Sequence, residues 1–105
     1  MQIRVDTGMT PHLEDTDDLK RFKLVMEAPR TALPQLRDAL DGVLRLQDDA
    51  VAWVSRDWLL RNAPRANDPA WQEGWNGMLA VAQKYGWIEA DTGDIRAHIE
   101  WTAPS

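Results

Sequence analysis

Three features of the chain predict an α+β fold. Residues 21–28 alternate apolar and charged side chains, which is the period of a half-buried strand. Between Asp68 and Gly86 the apolar positions recur at helical spacing, and near the C-terminus two short alternating segments flank Thr92-Gly93. Six tryptophans among 105 residues fall on or beside these patterns, and each ring buries roughly 150–250 Å², enough to dominate so small a core.

From the N-terminus, Met1, Ile3 and Val5 alternate with Gln2 and Arg4 and predict a first strand. Phe22, Leu24, Met26 and Ala28 define one side of a second strand that ends at Pro29, and the two strands are expected to pair. Between them lies an acidic loop around Glu14-Asp15-Thr16-Asp17-Asp18. Thr31 is positioned to cap a helix over 31–47, with Leu33, Leu36, Leu40, Val43 and Leu44 on one stripe and Pro34 in its first turn, where a missing N–H does no harm. Ala50-Val51-Ala52-Trp53-Val54 reads as a short strand. Ser55 then offers an N-cap for a helix through Trp58, Leu59 and Leu60 that stops by Pro64.

Asp68-Pro69 opens the best-defined element, since aspartate caps the backbone and proline suits the first helical position. Trp71, Trp75, Met78, Leu79, Ala82 and Tyr85 form its apolar stripe, and Gly86 stands where a left-handed cap belongs. Residues 87–91 and 94–101 are expected to form a hairpin that sets Ala90 opposite Ile95, Ile88 opposite Ala97 and Glu89 opposite Arg96. A single globular domain over 1–105 is expected, with N-terminal strands and the acidic loop in 1–28 and three helices with the hairpin in 31–101.

The order helix, short strand, helix, helix, hairpin resembles the winged helix-turn-helix. Ser55-Arg56-Asp57-Trp58-Leu59-Leu60 corresponds to its second helix, Asp68-Pro69 opens its third, and Tyr85-Gly86-Trp87-Ile88 leads into its wing. The likeness covers the C-terminal two thirds and lies in topology; the N-terminal strands are an addition to the pattern. It implies a winged-helix-like core that binds DNA through the third helix and the wing. The residues speak against that implication. Outside its apolar stripe the third helix carries Gln72, Glu73, Asn76, Gln83 and a single lysine, Lys84, while Asp91 and Asp94 flank the turn of the wing. Duplex affinity depends on neutralising phosphates with Lys and Arg.

Composition narrows the function classes further. The formal charge of −5, with 44% hydrophobic and 28% charged residues, is that of a soluble globular domain and works against non-specific attraction to nucleic acid or anionic membrane. Absence of cysteine removes disulfides, thiolate metal sites and cysteine nucleophiles, and fits a reducing cytoplasm. No signal peptide or membrane span is expected. His12 and His98 have no zinc-site spacing, the acidic loop lacks the glycine and glutamate of a calcium loop, and no glycine-flanked nucleophile turn accompanies Ser55. No catalytic residue, metal or cofactor is therefore assigned.

What remains is contact with other proteins. Six large rings exceed what the stripes require, and tryptophan is enriched among interface anchors. The expected interaction surface comprises Arg56, Arg61, Arg65, Trp71 and Trp87, serving a protein partner or self-association in a cytoplasmic domain. The alternatives are a dimeric DNA-binding regulator and a small-molecule-binding or enzymatic domain with a tryptophan-lined pocket.

Overall fold

The computed structural model describes residues 1–102 and is a mixed α+β structure in which three helices accompany one curled six-stranded sheet. The strands are β1 (Gln2–Val5), β2 (Pro11–Glu14), β3 (Lys23–Met26), β4 (Leu44–Leu46), β5 (Val51–Val54) and β6 (Ile95–Trp101), and their order across the sheet is β2-β1-β3-β6-β5-β4. The helices are α1 (Leu33–Ala39), α2 (Arg56–Asn62) and α3 (Pro69–Lys84). Strands β1, β3 and β6 run parallel to one another, and β2, β5 and the β4–β5 pair add antiparallel neighbours.

Period-2 alternation assigns the two faces. Ile3, Val5, Leu24, Met26, Ala52, Val54, Ile95, Ala97 and Ile99 are buried on one face, where Leu36 and Leu40 of the α1 region, Leu59 of α2 and Trp71 and Trp75 of α3 join the same apolar cluster. Arg4, Lys23, Arg96, His98 and Glu100 lie on the other face by register. Among the described residues no polar or charged residue is buried.

Local chemistry explains most of the boundaries. The Ser55 hydroxyl accepts from Trp58 N at 3.2 Å, and the Asp68 carboxylate accepts from Ala70 N at 2.9 Å, with Pro69 following it, so both caps read from the sequence are formed. Gly86 closes α3 with φ of 76°. Asp6 organises the β1–β2 turn by accepting from Gly8 N and Thr10 N, while Asp48 does the same for Ala50 N and Val51 N ahead of β5.

Several expectations need correction. The helix over 31–47 is instead a 3-10 turn (Arg30–Ala32), the seven-residue α1 and the strand β4, and Thr31 supplies no cap. Gly42, with φ of 83°, redirects the backbone after Leu40, so that Leu44 and Leu46 bury as alternate residues of a strand paired to β5. Residues 11–14, of which Glu14 is expected in the acidic loop, form the edge strand β2. Tyr85 leaves the apolar stripe and is 59% exposed.

The C-terminal hairpin is also different. Beside β6 the 87–91 segment makes one bridge, Ile88 to Ile95, and Glu89 N donates to Asp94 O. That register is shifted from the expected one, and the Glu89 carboxylate meets Arg45 rather than Arg96. The reason is that β6 lies between β3 and β5 in the middle of the sheet, and its long-range pairing supersedes a local wing. A winged-helix arrangement is accordingly not what this sheet builds.

Two outcomes are expected. Trp75 is buried and stacks on Trp71 with centroids 5.4 Å apart, so Trp75→Ala should lower the free energy of unfolding by about 3–5 kcal/mol in denaturant titration. Carboxylates that build turns and caps should govern acid stability. Asp6 is held below its ordinary pKa by His12 and the backbone of Thr10, Asp48 by the backbone of Ala50 and Val51, and Asp68 by Arg65 and Ala70 N. A depressed folded pKa contributes stability above the unfolded value, about 4 for aspartate, and loses it as pH falls through the folded value. The thermal midpoint should therefore drop on acidification below about pH 4, and less steeply in Asp68→Asn.

Candidate functional site

The stagger of the sheet creates the principal groove. Strand β3 pairs with β6 only over His98 to Trp101, while β5 pairs over Ile95 to His98. The first half of β6 thus has no full strand on its β3 side, and the Ile88 bridge is what borders it there. Residues of helix α3 line one cavity with this half of β6. At the N-terminal end of the helix Trp71 Nε1 donates to Thr16 O at 2.8 Å, and beyond its C-terminal end Arg96 N donates to Trp87 O at 2.8 Å.

Between α3, the 17–22 loop and β6 lies a groove of about 1410 Å³. Phe22, Met78, Val81 and Trp87 contribute its apolar lining, and Lys20, Arg21, Arg96 and His98 its cationic or ionisable positions. The loop is fixed from below by Met1, whose amine donates to the carbonyls of Asp18 and Arg21, and by Leu19, which approaches Gly74. A Cβ at Gly74 would come within 2.8 Å of Leu19 Cδ1, whereas one at Gly77 would meet nothing within 4 Å. Gly74 gives room to the loop, and Gly77 leaves the groove open.

Ion pairs cover the solvent-facing side of the sheet away from this groove. Arg4 bridges Glu14 (2.9 Å) and Glu27 (2.8 Å), which raises its pKa, and Lys23 meets Glu100 at 3.1 Å. In the groove itself Asp17 pairs with Arg65, whereas among the described residues Lys20, Arg21, Arg96 and His98 form no ion pair within 4 Å. The acids nearby are engaged elsewhere, Asp17 by Arg65 at 3.1 Å and Asp48 by backbone amides.

The five residues of the expected surface fall in different places. Arg56 Nε donates to Gly93 O at 3.2 Å and holds the turn before β6. Arg61 donates to Asp57 O and lines a smaller cleft of about 640 Å³ between α2 and α3. Arg65 is bound by Asp68 and Asp17 at one end of the groove, which raises its pKa. Trp71 is 3% exposed and belongs to the core cluster, with an edge on both cavities. Trp87 is 38% exposed and stacks on Tyr85 with centroids 4.9 Å apart. Arg65, Trp71 and Trp87 therefore share the groove, and Arg56 and Arg61 do not line it.

Helical Gly74 and Gly77 are legible in the sequence as places for close packing of another helix or chain, whereas sequence reasoning missed Lys20, Arg21, Arg96, His98 and Val81 as groove residues. A partial signal was present, since Gly77, Val81 and Tyr85 follow i, i+4, i+8 beside the core stripe. The 17–22 loop reaches α3 only in three dimensions. Comparison with protein-family models, curated proteins and solved structures finds no match for the chain. No helix among the described residues is long and apolar enough to cross a membrane.

The two helical glycines should respond differently to alanine. Gly77→Ala should stabilise the protein by up to about 1 kcal/mol through helix propensity alone, as read by denaturant unfolding. Gly74→Ala should gain less, because Leu19 has to move aside.

Proposed function

We propose that this chain is a protein-interaction domain whose contact surface is the groove and the C-terminal end of α3. One observation carries the reading. The exposed large hydrophobics among the described residues are Val81 (53%), Tyr85 (59%) and Trp87 (38%), and all three gather at the end of α3, with Val81 and Trp87 lining the groove. Single exposed apolar residues are ordinary, but a contiguous group beside an apolar groove marks a surface that gains by being covered. Aromatic anchors on a rigid helix lose little conformational entropy on binding, which suits them to that task.

The DNA-binding alternative has less behind it. Its two structural supports were a two-stranded wing and an exposed third helix, yet β6 is internal to the sheet and Glu73, Asn76 and Gln83 dominate the polar side of α3. Phosphate contacts that would hold a register on duplex DNA are lacking there. A domain of cytoplasmic location that assembles with another protein, or with a second copy, accounts for the surface with fewer demands.

Site-directed photocrosslinking tests the reading. A benzophenone side chain installed at Val81 or Trp87 should yield discrete protein adducts in cell extract, of the chain with itself or with another protein. The same group at exposed Asp38, on α1, should yield none. Equal labelling from all three positions, or from none, would remove the interaction reading.

A further inference from the structure

We infer that the groove beside α3 accepts an acidic amphipathic segment of a partner protein, apolar side chains inward and carboxylates toward Lys20, Arg21 and Arg96. This rests on the interaction-domain reading and adds the chemistry of the occupant.

Size comes first. Sixteen residues of α3 at 1.5 Å each give a wall roughly 24 Å long. That length matches about four turns of helix or about seven extended residues. At about 1410 Å³ the groove exceeds the roughly 300–1,000 Å³ usual for small-molecule pockets. A chain segment fills such a space, and its apolar positions can meet Phe22, Met78, Val81 and Trp87 in the manner of a helix laid into a groove. Gly77 leaves the wall flat where a side chain would obstruct it.

Charge then selects the occupant. The chain as a whole carries −5, and Arg4, Lys23, Arg45 and Arg65 are each bound to a carboxylate. Of the cations without such a partner among the described residues, Arg30, Arg37, Arg56, Arg61 and Lys84 lie outside the groove, while Lys20, Arg21 and Arg96 collect around it with the imidazole of His98. Asp17 and Asp18 at the loop end do not reverse the balance, since Arg65 holds the first and the second accepts from Lys20 N at 3.3 Å. Asp48 lies close enough to sense Arg96, but its Oδ1 is occupied by the backbone of Ala50 and Val51. Carboxylates on an entering segment would find three cations at the rim and an apolar wall behind them. Such pairing favours one partner sign and weakens with salt. A basic segment meets repulsion, and duplex DNA meets an acidic molecule and an apolar floor that offers phosphates nothing.

Synthetic peptides of about 14 residues, long enough to span the groove as a helix, provide the probe. One carries leucine and phenylalanine at helical spacing with glutamate elsewhere, and its two counterparts replace every glutamate by glutamine or by lysine. Tryptophan fluorescence should report saturable binding of the glutamate peptide, weaker binding of the glutamine peptide and none of the lysine peptide at low salt. Arg21→Glu with Arg96→Glu should weaken the glutamate peptide about tenfold or more, and Gly77→Leu should block it, with circular dichroism confirming that both variants keep their helix content. Equal binding of all three peptides, still blocked by Gly77→Leu, would overturn the acidic occupant and leave the interaction reading standing. No peptide binding together with photocrosslinks at Val81 would do the same; absence of both would remove the two readings together. Sedimentation showing a dimer that Gly77→Leu dissociates would assign the groove to a second copy, and a duplex DNA shift abolished by the double charge reversal would assign it to nucleic acid.

Discussion

Strand β6 belongs to two half-sheets that meet on it out of step. Its second half pairs with β3 and through it with β1 and β2; its first half pairs with β5 and through it with β4. Backbone hydrogen bonding within a sheet is close to obligatory, so a strand left without a neighbour over several residues needs something beside it. Here the segment after α3 supplies it, with a bridge from Ile88 to Ile95 and backbone hydrogen bonds from Glu89 N to Asp94 O and from Arg96 N to Trp87 O. Trp71 and Trp75 of α3 bury in the same apolar cluster as Ile95, Ala97 and Ile99 of β6 and stack on one another, and Trp71 Nε1 donates to Thr16 O just ahead of the 17–22 loop.

The same stagger divides the solvent-facing side of the sheet by charge. Over β1, β2, β3 and the second half of β6, cross-strand neighbours are close enough for Arg4, Glu14, Glu27, Lys23 and Glu100 to neutralise one another. Exposed pairs of this kind add little stability individually, but they leave a surface with little net field. Ahead of His98, β3 provides β6 with no cross-strand carboxylate. Arg96 and His98, opposite Trp53 and Val51 of β5, line the groove together with Lys20 and Arg21 from the loop. These cations of the groove thus come from two sources, Arg96 by strand register and Lys20 and Arg21 from the loop.

Legibility in the sequence followed how local the cause was. Helices α2 and α3 were readable at their starts because Ser55 and Asp68 act on amides two or three residues away, and α3 at its end because Gly86 adopts a left-handed turn. Alternation in Leu24, Met26, Ile95, Ala97 and Ile99 marked strands correctly. It could not name their main partners: the 87–91 segment meets β6 in a single bridge of shifted register, and the full neighbours of β6 are β3 and β5. Leu36, Leu40 and Leu44 fit a helical stripe as well as they fit a helix, a turn and a strand, and only the backbone at Gly42 distinguishes the two. In Pro11-His12-Leu13-Glu14 every residue is half-buried, so β2 has no alternation to read. The groove was the least legible feature, since its residues come from 17–22, α3 and 95–98 and meet only through tertiary structure.

Gly77 separates what the fold needs from what the groove uses. A glycine inside a helix costs about 1 kcal/mol relative to alanine, because the unfolded chain loses more freedom on folding. Gly74 has a compensating contact, for Leu19 occupies the space its missing side chain leaves and the loop is anchored by it. Gly77 has none: it is not in a left-handed conformation, and no atom outside its own turn approaches the position of a Cβ. Packing within the chain therefore gives no reason for glycine rather than alanine at this point. Its one structural consequence is to keep the wall of α3 low between Met78 and Val81, where an entering side chain would otherwise meet it. Under the proposed interaction that weakness has a use in the bound state, in which the surface next to Gly77 is no longer empty.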